Sequence, residues 1–525
     1  MIYDLIIKNG KILDGTGNDW FNLDLGILNG KIDFMGTLNK NDGESLIDAK
    51  GKIVSPGFID IHSHSDISAM IYPTADSKIL QGVTTEVVGN CGFSPAPIKD
   101  ENLELLKQTI DESSKGISNF LSWNWRTLNE FYDEVEKIGT SVNFVPLVGH
   151  GTLRVAVMGY ENREPTDNEL KEMENLLKQE MESGFFGMST GLEYVPGIYS
   201  KTEEIIELAK VVSKYSGIYA THIRNEESNV IEAINEAITV AKEAEVPLEI
   251  SHIKVVGKNN WDNDDKILKL IYDARKNGIE VNADVYPYTA FQTTLTILLP
   301  SWILEGGIKN TLNKLKDLKI REKIKNEIFQ RESDWDRITI PSYNGKSIKD
   351  LSVEWNIDPF ETLLKLLLDN NGNVSIIGHS MKEESVEKFI SSPLISIGSD
   401  ENGIKPGFGP LGGLTHPRAY GTFPRVISRY WREKNLISLS EAIRKMTGLP
   451  AAKLRLSKRG LIREGYYADL VIFDPEKILD LATFNEPTKF PIGIDYVIVN
   501  GIVVAEKSKH KNTKPGKVLK RIKGD

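Results

Sequence analysis

No disulfide can form within this chain, because Cys91 is its only cysteine. A reduced, cytoplasmic setting is therefore the default expectation. No run approaches the roughly 18–20 apolar residues that cross a membrane, so no membrane partner is expected. The N-terminal stretch Met1-Ile2-Tyr3-Asp4-Leu5-Ile6-Ile7 lacks a basic region and a cleavage site, and no signal peptide is read there. Positive charge is also in deficit, with 64 lysines and arginines against 74 aspartates and glutamates, a formal net charge of −10. That balance argues against a nucleic-acid footprint over most of the surface. Only the tail is basic, through Lys507, Lys509, Lys511, Lys514, Lys517, Lys520, Arg521 and Lys523, and it reads as a solvated terminal segment.

What is present points to a large α/β enzyme. At 525 residues the chain exceeds one ordinary domain. Its two ends share a β texture. Short strands at 4–8, 11–13 and 24–28 lead into Asn9-Gly10, Asp14-Gly15 and Asn29-Gly30, read as hairpin dipeptides. The far end repeats the pattern at 468–474 and 496–499, followed by Asn500-Gly501. Residues 1–56 and 456–525 are therefore expected to build one small β-sandwich. Residues 57–455 alternate apolar runs with helical patterns at 167–182, 203–214 and 229–243, as a (β/α)8 TIM-like barrel does. Nine strand candidates (58–62, 84–88, 143–148, 185–189, 218–222, 248–252, 280–285, 374–377 and 394–398) compete for eight places. The segment 374–377 is taken as the surplus one. The stretch 286–373 is too long for a loop and one helix, and is read as a lid insertion.

The most telling motif is Val54-Ser55-Pro56-Gly57-Phe58-Ile59-Asp60-Ile61-His62-Ser63-His64. On a continuous strand, His62 and His64 would share a face and converge on one spot, as a divalent metal requires. A His-x-His pair can equally be structural. Two further histidines, His222 and His252, also end predicted strands, on the face where barrel active sites form. Cys91 follows Thr85-Glu86-Val87-Val88-Gly89-Asn90, just beyond another strand. A lone cysteine is ordinarily a small buried hydrophobe; as a thiolate it is a soft zinc ligand. Asp400, after the last strand candidate, reads as a loop cap or a general base.

Together these segments resemble the amidohydrolase superfamily and, within it, the N-acyl-D-amino-acid deacylases (D-aminoacylases). The resemblance runs over nearly the whole chain, through Gly89-Asn90-Cys91-Gly92, Gly149-His150-Gly151-Thr152, Thr221-His222-Ile223-Arg224, Ser251-His252-Ile253-Lys254, Asp284-Val285-Tyr286-Pro287, Gly398-Ser399-Asp400 and His416-Pro417-Arg418 with Gly421-Thr422-Phe423-Pro424-Arg425. It implies a tightly bound Zn2+ on Cys91, His222 and His252, and a second, weaker metal position on His62 and His64. It also implies Asp400 as general acid/base, and substrate-carboxylate contacts from Lys254, Tyr286 and Arg418. The implied substrate is a small N-acyl-D-amino acid. His150 reads as structural, and His379 and His510 are assigned no role.

The chain departs from the family pattern at Phe291-Gln292, where many members have Gly-Ser, and at Glu401, where a glycine is common. The loop 402–415 is longer than in some members. A related amidohydrolase acting on cyclic amides or dipeptides is the alternative reading, and a barrel retained only as a scaffold is the remote one. The oligomeric state is open.

Overall fold

The structure is a computed structural model, and it describes residues 2–114, 116–328, 335–409, 411 and 415–521. Lys523 of the basic tail and part of the 402–415 loop lie outside these residues. Among the described residues, eight parallel strands form the barrel: Phe58–Asp60, Val83–Val88, Asn143–Pro146 continued by Val148–Gly149, Gly187–Gly191, Ile218–His222, Leu248–Ile250, Val281–Val285 and Ile395–Ile397. The third strand bends at Leu147. Its first part pairs with the second strand (Pro146 opposite Val88) and its second part with the fourth (Gly149 opposite Ser189). The ring closes beyond the strand ends, where Asp400 N donates to His62 O at 2.8 Å and His64 N to Glu401 O at 3.1 Å.

Strand alternation explains the layers. Phe58, Val88, Phe144, Phe185 and Tyr219 join the core beneath the helices, whereas their neighbours Ile59, Val87, Val145, Phe186 and Ile218 form a second apolar cluster. On the sixth to eighth strands, Leu248, Ile250, Val281, Ala283, Ile395 and Ile397 also join the helix-side core. The alternate positions there are polar and buried: Glu249, Ser251, Asp284 and Ser396. The helices fall where periodicity places them. Asp167–Glu182 starts at a capping box in which Thr166 and Glu169 satisfy each other's backbone N–H groups.

Both chain ends meet in the flanking β structure. Ile53–Pro56 pairs parallel with Lys11–Ile12 and antiparallel with Leu470–Phe473, so the two termini share one sheet. A second sheet, built from Lys31–Gly36, Asp24–Leu28, Tyr3–Lys8 and Gly43–Asp48, packs its Leu5, Ile7, Leu25 and Ile27 against Val54, Leu470 and Ile498 of the first. Asn29-Gly30 and Asn500-Gly501 are true hairpin turns, with φ of 51° and 77°, and 49° and 78°. The hairpin reading of Asn9-Gly10 and Asp14-Gly15 is corrected. At the first, the chain leaves one sheet and enters the other; at the second, a longer loop precedes Phe21–Asn22.

The surplus strand candidate lies in the insertion as Ser375–Gly378, paired antiparallel with Phe291–Thr294 and Ile338–Ile340. That sheet and its helices bury a core of their own, including Leu295, Ile303, Ile340, Leu363 and Leu367. The insertion is thus a packed α/β unit and not a bare loop.

Candidate active site

Cys91, His252 and Asp400 are delivered by turns just past barrel strands, His222 ends its strand and Arg418 opens the helix Arg418–Arg425. After Val83–Val88 the chain doubles back at Gly89, where φ is 77° and a Cβ would lie 2.1 Å from Leu147 O, so only glycine fits. Cys91 (φ 51°), His252 (φ 34°) and Asp400 (φ 55°) all adopt left-handed backbone. Such conformations cost roughly 1–3 kcal/mol each and persist where the surroundings impose them, as at catalytic sites.

These turns bring four donors together. Cys91 Sγ is 3.3 Å from His62 Nε2, 3.4 Å from His252 Nε2 and 3.9 Å from His222 Nδ1. Ligand atoms around a tetrahedral zinc, with bonds of about 2.0–2.3 Å, stand about 3.4–3.8 Å apart. The donor set fits such an ion in chemistry, and the Cys91 distances fit it in size, while His222 Nδ1 and His252 Nε2 stand closer, at 2.9 Å. By distance the donors form two overlapping groups, His62–Cys91–His252–Asp400 and His222–Glu226–His252. His62 thus stands with Cys91, and Glu226 enters although sequence reasoning passed over it. Its one signal was its place four residues after His222.

The strand-alternation argument for His62 and His64 is corrected. The strand ends at Asp60, and His64 occupies the N-cap position of the helix Ser65–Ser68. The rings still approach, with centroids 5.4 Å apart, because the turn folds His64 over Asp400, with Nε2 3.0 Å from Oδ1. His222 Nε2 faces Glu193 Oε2 at 3.3 Å, and His62 Nδ1 faces Asp284 Oδ2 at 3.5 Å, carboxylate contacts that orient imidazole ligands.

Electrostatics follow burial and charge. Burial pushes the Asp400 carboxyl upward, but the Arg418 guanidinium holds it well below the usual carboxylate range. Burial depresses His252, aided by Lys254, leaving the neutral imidazole that a metal needs. Burial, with Asp400 nearby, pushes the Cys91 thiol well up; a divalent cation among these donors would favour the thiolate.

The residues expected to contact substrate are spread differently. Lys254 Nζ is engaged by Glu226 Oε1 at 2.5 Å and His252 Nδ1 at 2.7 Å. Tyr286 is buried behind Arg418, whose guanidinium carbon lies 4.6 Å from its ring centroid. Arg418 Nη1 is 2.8 Å from Asp400 Oδ2, yet neither Nη1 nor Nε makes a directed hydrogen bond. His150 is structural, bonded to Glu204 at 2.7 Å. At the two departures, Gln292 Oε1 accepts from His416 N at 2.8 Å, and Glu401 Oε1 lies 3.7 Å from Arg418 Nε.

Cys91, His64, His222, His252, Lys254, Asp400 and Arg418 open into a cavity of about 440 Å³. One end holds the metal-binding donors with Asp400 and Arg418. The other is lined by Ile110, Ile297, Leu298, Leu299 and Leu304, from the helix Leu103–Ser114 and the insertion.

A thiol–imidazole–carboxylate donor cluster above a (β/α)8 barrel, with both termini joined in a β domain, places the protein among the metal-dependent hydrolases of carbon–nitrogen bonds. Comparison narrows the class. The family described as Amidohydrolase family matches residues 45–304 and 393–505. The chain is 34% identical to D-aminoacylase of Alcaligenes xylosoxydans xylosoxydans over 99% of its length and 98% of the relative's. It is 33% identical to the N-acyl-D-aspartate deacylase of the same organism, over 98% and 95% of the two chains. The solved N-acyl-D-glutamate deacylase of Bordetella bronchiseptica, complexed with zinc and a phosphonate inhibitor, superposes with a TM-score of 0.82 at 31% identity, over 99% and 100%. The chain belongs to the amidohydrolase family and, within it, to the D-aminoacylase (N-acyl-D-amino-acid deacylase) branch.

Proposed function

We propose that the protein hydrolyses N-acyl-D-amino acids with neutral, apolar side chains, releasing a carboxylate and a free D-amino acid. The observation that carries this reading is Arg418. It is a buried guanidinium with two undirected N–H donors, set beside Asp400 and the metal-binding donors. A forked donor of this kind is suited to a carboxylate one amide bond from the reacting carbonyl.

Cys91, His222 and His252 would hold the principal zinc, with His62 and His64 available to a second, weaker position. Bound there, the metal would supply Lewis acidity toward the amide carbonyl and a more acidic water. Asp400, ionised, is placed to take a proton from the attacking water and to return it to the departing amine. Arg418 binds the substrate carboxylate, and Tyr286 supports Arg418 through its ring face. Lys254 holds Glu226 and His252 in register and faces the same cavity. A cyclic amide has no free carboxylate for Arg418, which favours the linear substrate.

The side-chain class follows from the charges in the cavity wall. Among the described residues, the lysines and arginines in that wall are Arg224, Lys254 and Arg418. Arg224 is clamped by Glu236 at 2.8 and 2.9 Å, and Lys254 by Glu226. Arg418 serves the α-carboxylate, so a second carboxylate on the substrate would face Glu193, Glu226 and Glu401 without a cation of its own. The D configuration is carried over from the relatives. The test is a panel of N-acetyl-D and N-acetyl-L leucine, phenylalanine, aspartate and glutamate, with zinc per chain measured. D-Leucine and D-phenylalanine derivatives should turn over at least ~10-fold better in kcat/KM than the acidic ones, the lower scale of pocket discrimination. Equal rates for aspartate would refute the side-chain class, and equal rates for L substrates would refute the stereochemistry.

A further inference from the structure

Beneath the active site lies a lysine that the chemistry above does not use. Lys78, from the short helix Asp76–Ile79, is fully buried. Its Nζ donates to Ser399 Oγ at 2.6 Å, Asp60 Oδ2 at 2.7 Å and the Glu401 carbonyl at 2.8 Å, and Glu86 Oε2 stands 3.4 Å away. Asp60 in turn accepts from Ser399 N at 2.8 Å and His62 N at 3.3 Å through one oxygen, and from Ser399 Oγ at 2.6 Å through the other. One ammonium therefore joins the turn after the first barrel strand, which carries His62 and His64, to the turn after the last, which carries Asp400. A surface ion pair contributes little, but a buried ammonium with its protons fully placed fixes geometry strongly. The left-handed backbone at Asp400 is one that aspartate tolerates better than most residues but still at a cost, and such fixation helps to hold the turn in it.

We propose that Lys78 is a positioning residue: through Ser399 and the Glu401 carbonyl it sets where the Asp400 carboxylate stands relative to His62 and His64. The inference rests on Asp400 acting as the acid/base. It separates turnover from binding, since Lys78 touches neither Arg418 nor the donors Cys91, His222 and His252. Misplacement of a catalytic group by about 1 Å can cost about 10² in rate.

The experiment uses the zinc-loaded enzyme, with metal content, KM and kcat read for Lys78→Met, Ser399→Ala, the double variant and Asp400→Asn. Lys78→Met should lower kcat about 10²-fold at unchanged KM and unchanged zinc, Ser399→Ala should lower it less, and the double variant should lose no more than Lys78→Met alone. A folded Lys78→Met with near-normal kcat overturns the proposal, as does a loss that tracks zinc content or KM. Additive losses in the double variant overturn the route through Ser399. Should Lys78→Met fail to fold, Ser399→Ala decides: an unchanged kcat overturns the proposal. Near-normal turnover in Asp400→Asn refutes the acid/base reading itself, a result distinct from any failure of Lys78.

Discussion

The two ends of the cavity are built on opposite principles. At the polar end Cys91, His252 and Asp400 sit on turns directly after barrel strands, His222 ends its strand and Arg418 opens a helix, and nearly every charge is matched: Arg418 with Asp400, Lys254 with Glu226 and, beneath the site, Lys78 with Asp60. At the apolar end the wall comes from the helix Leu103–Ser114 and from the start of the insertion, far apart in the chain, and what matters is surface. A matched charge cannot be altered without exposing its partner, whereas an apolar wall can change size at modest cost. The first end therefore defines the reaction and the second adjusts which substrate enters it.

The largest effect should come from removing a donor at the polar end. Cys91→Ala should lower zinc affinity by more than ~10², because even partners that only support a ligand cost 10–100-fold. Activity should fall toward background while the fold persists on its independent cores. Zinc analysis and thermal denaturation check this; full zinc and normal turnover would erase the distinction between the two ends.

An intermediate effect is expected where the polar end meets substrate. Arg418→Lys keeps the charge and loses the fork, and should cost roughly 2–4 kcal/mol in kcat/KM on an N-acyl amino acid. On the corresponding amide without a free carboxylate the same variant should cost little more than the parent already loses. Equal losses on both substrates would assign Arg418 to structure alone.

The smallest effect is predicted at the apolar end and is a matter of stability. Burial alone pushes the Glu112 carboxyl in the cavity wall up to about 8. A raised pKa means that the folded state holds this proton more tightly than the unfolded chain. Its stabilising contribution is then present at low pH and is lost as pH rises from the ordinary glutamate value through about 8. Glu112→Gln lacks this dependence, so its melting temperature should gain on the parent between pH 5.5 and pH 9. A constant difference across that range would mean that Glu112 is solvated, and that the far end of the cavity is not apolar around it.

Much of the polar end could be read from the chain alone, because its information is local. Strand periodicity, the Gly89-Asn90-Cys91-Gly92 turn and histidines placed at strand ends are all short-range patterns. Most of the donors were legible as residues, but Glu226 was not, and neither was the partition into two groups. His62 joins Cys91 and His252 only because the barrel closes between its first and last strands. Glu226 carried only its spacing from His222 and Lys78 no signal at all, since a glutamate in a loop and a lysine in a four-residue helix usually face water.

Sequence by itself indicated most of the barrel strands, several of the donor residues and the class of chemistry they can perform, because backbone alternation and side-chain ionisation are properties of short segments. Tertiary structure alone decided which charges are paired, that Tyr286 lies behind Arg418, and that the insertion closes the apolar end of the cavity. Those outcomes depend on register between strands hundreds of residues apart and on the low-dielectric interior that their closure creates.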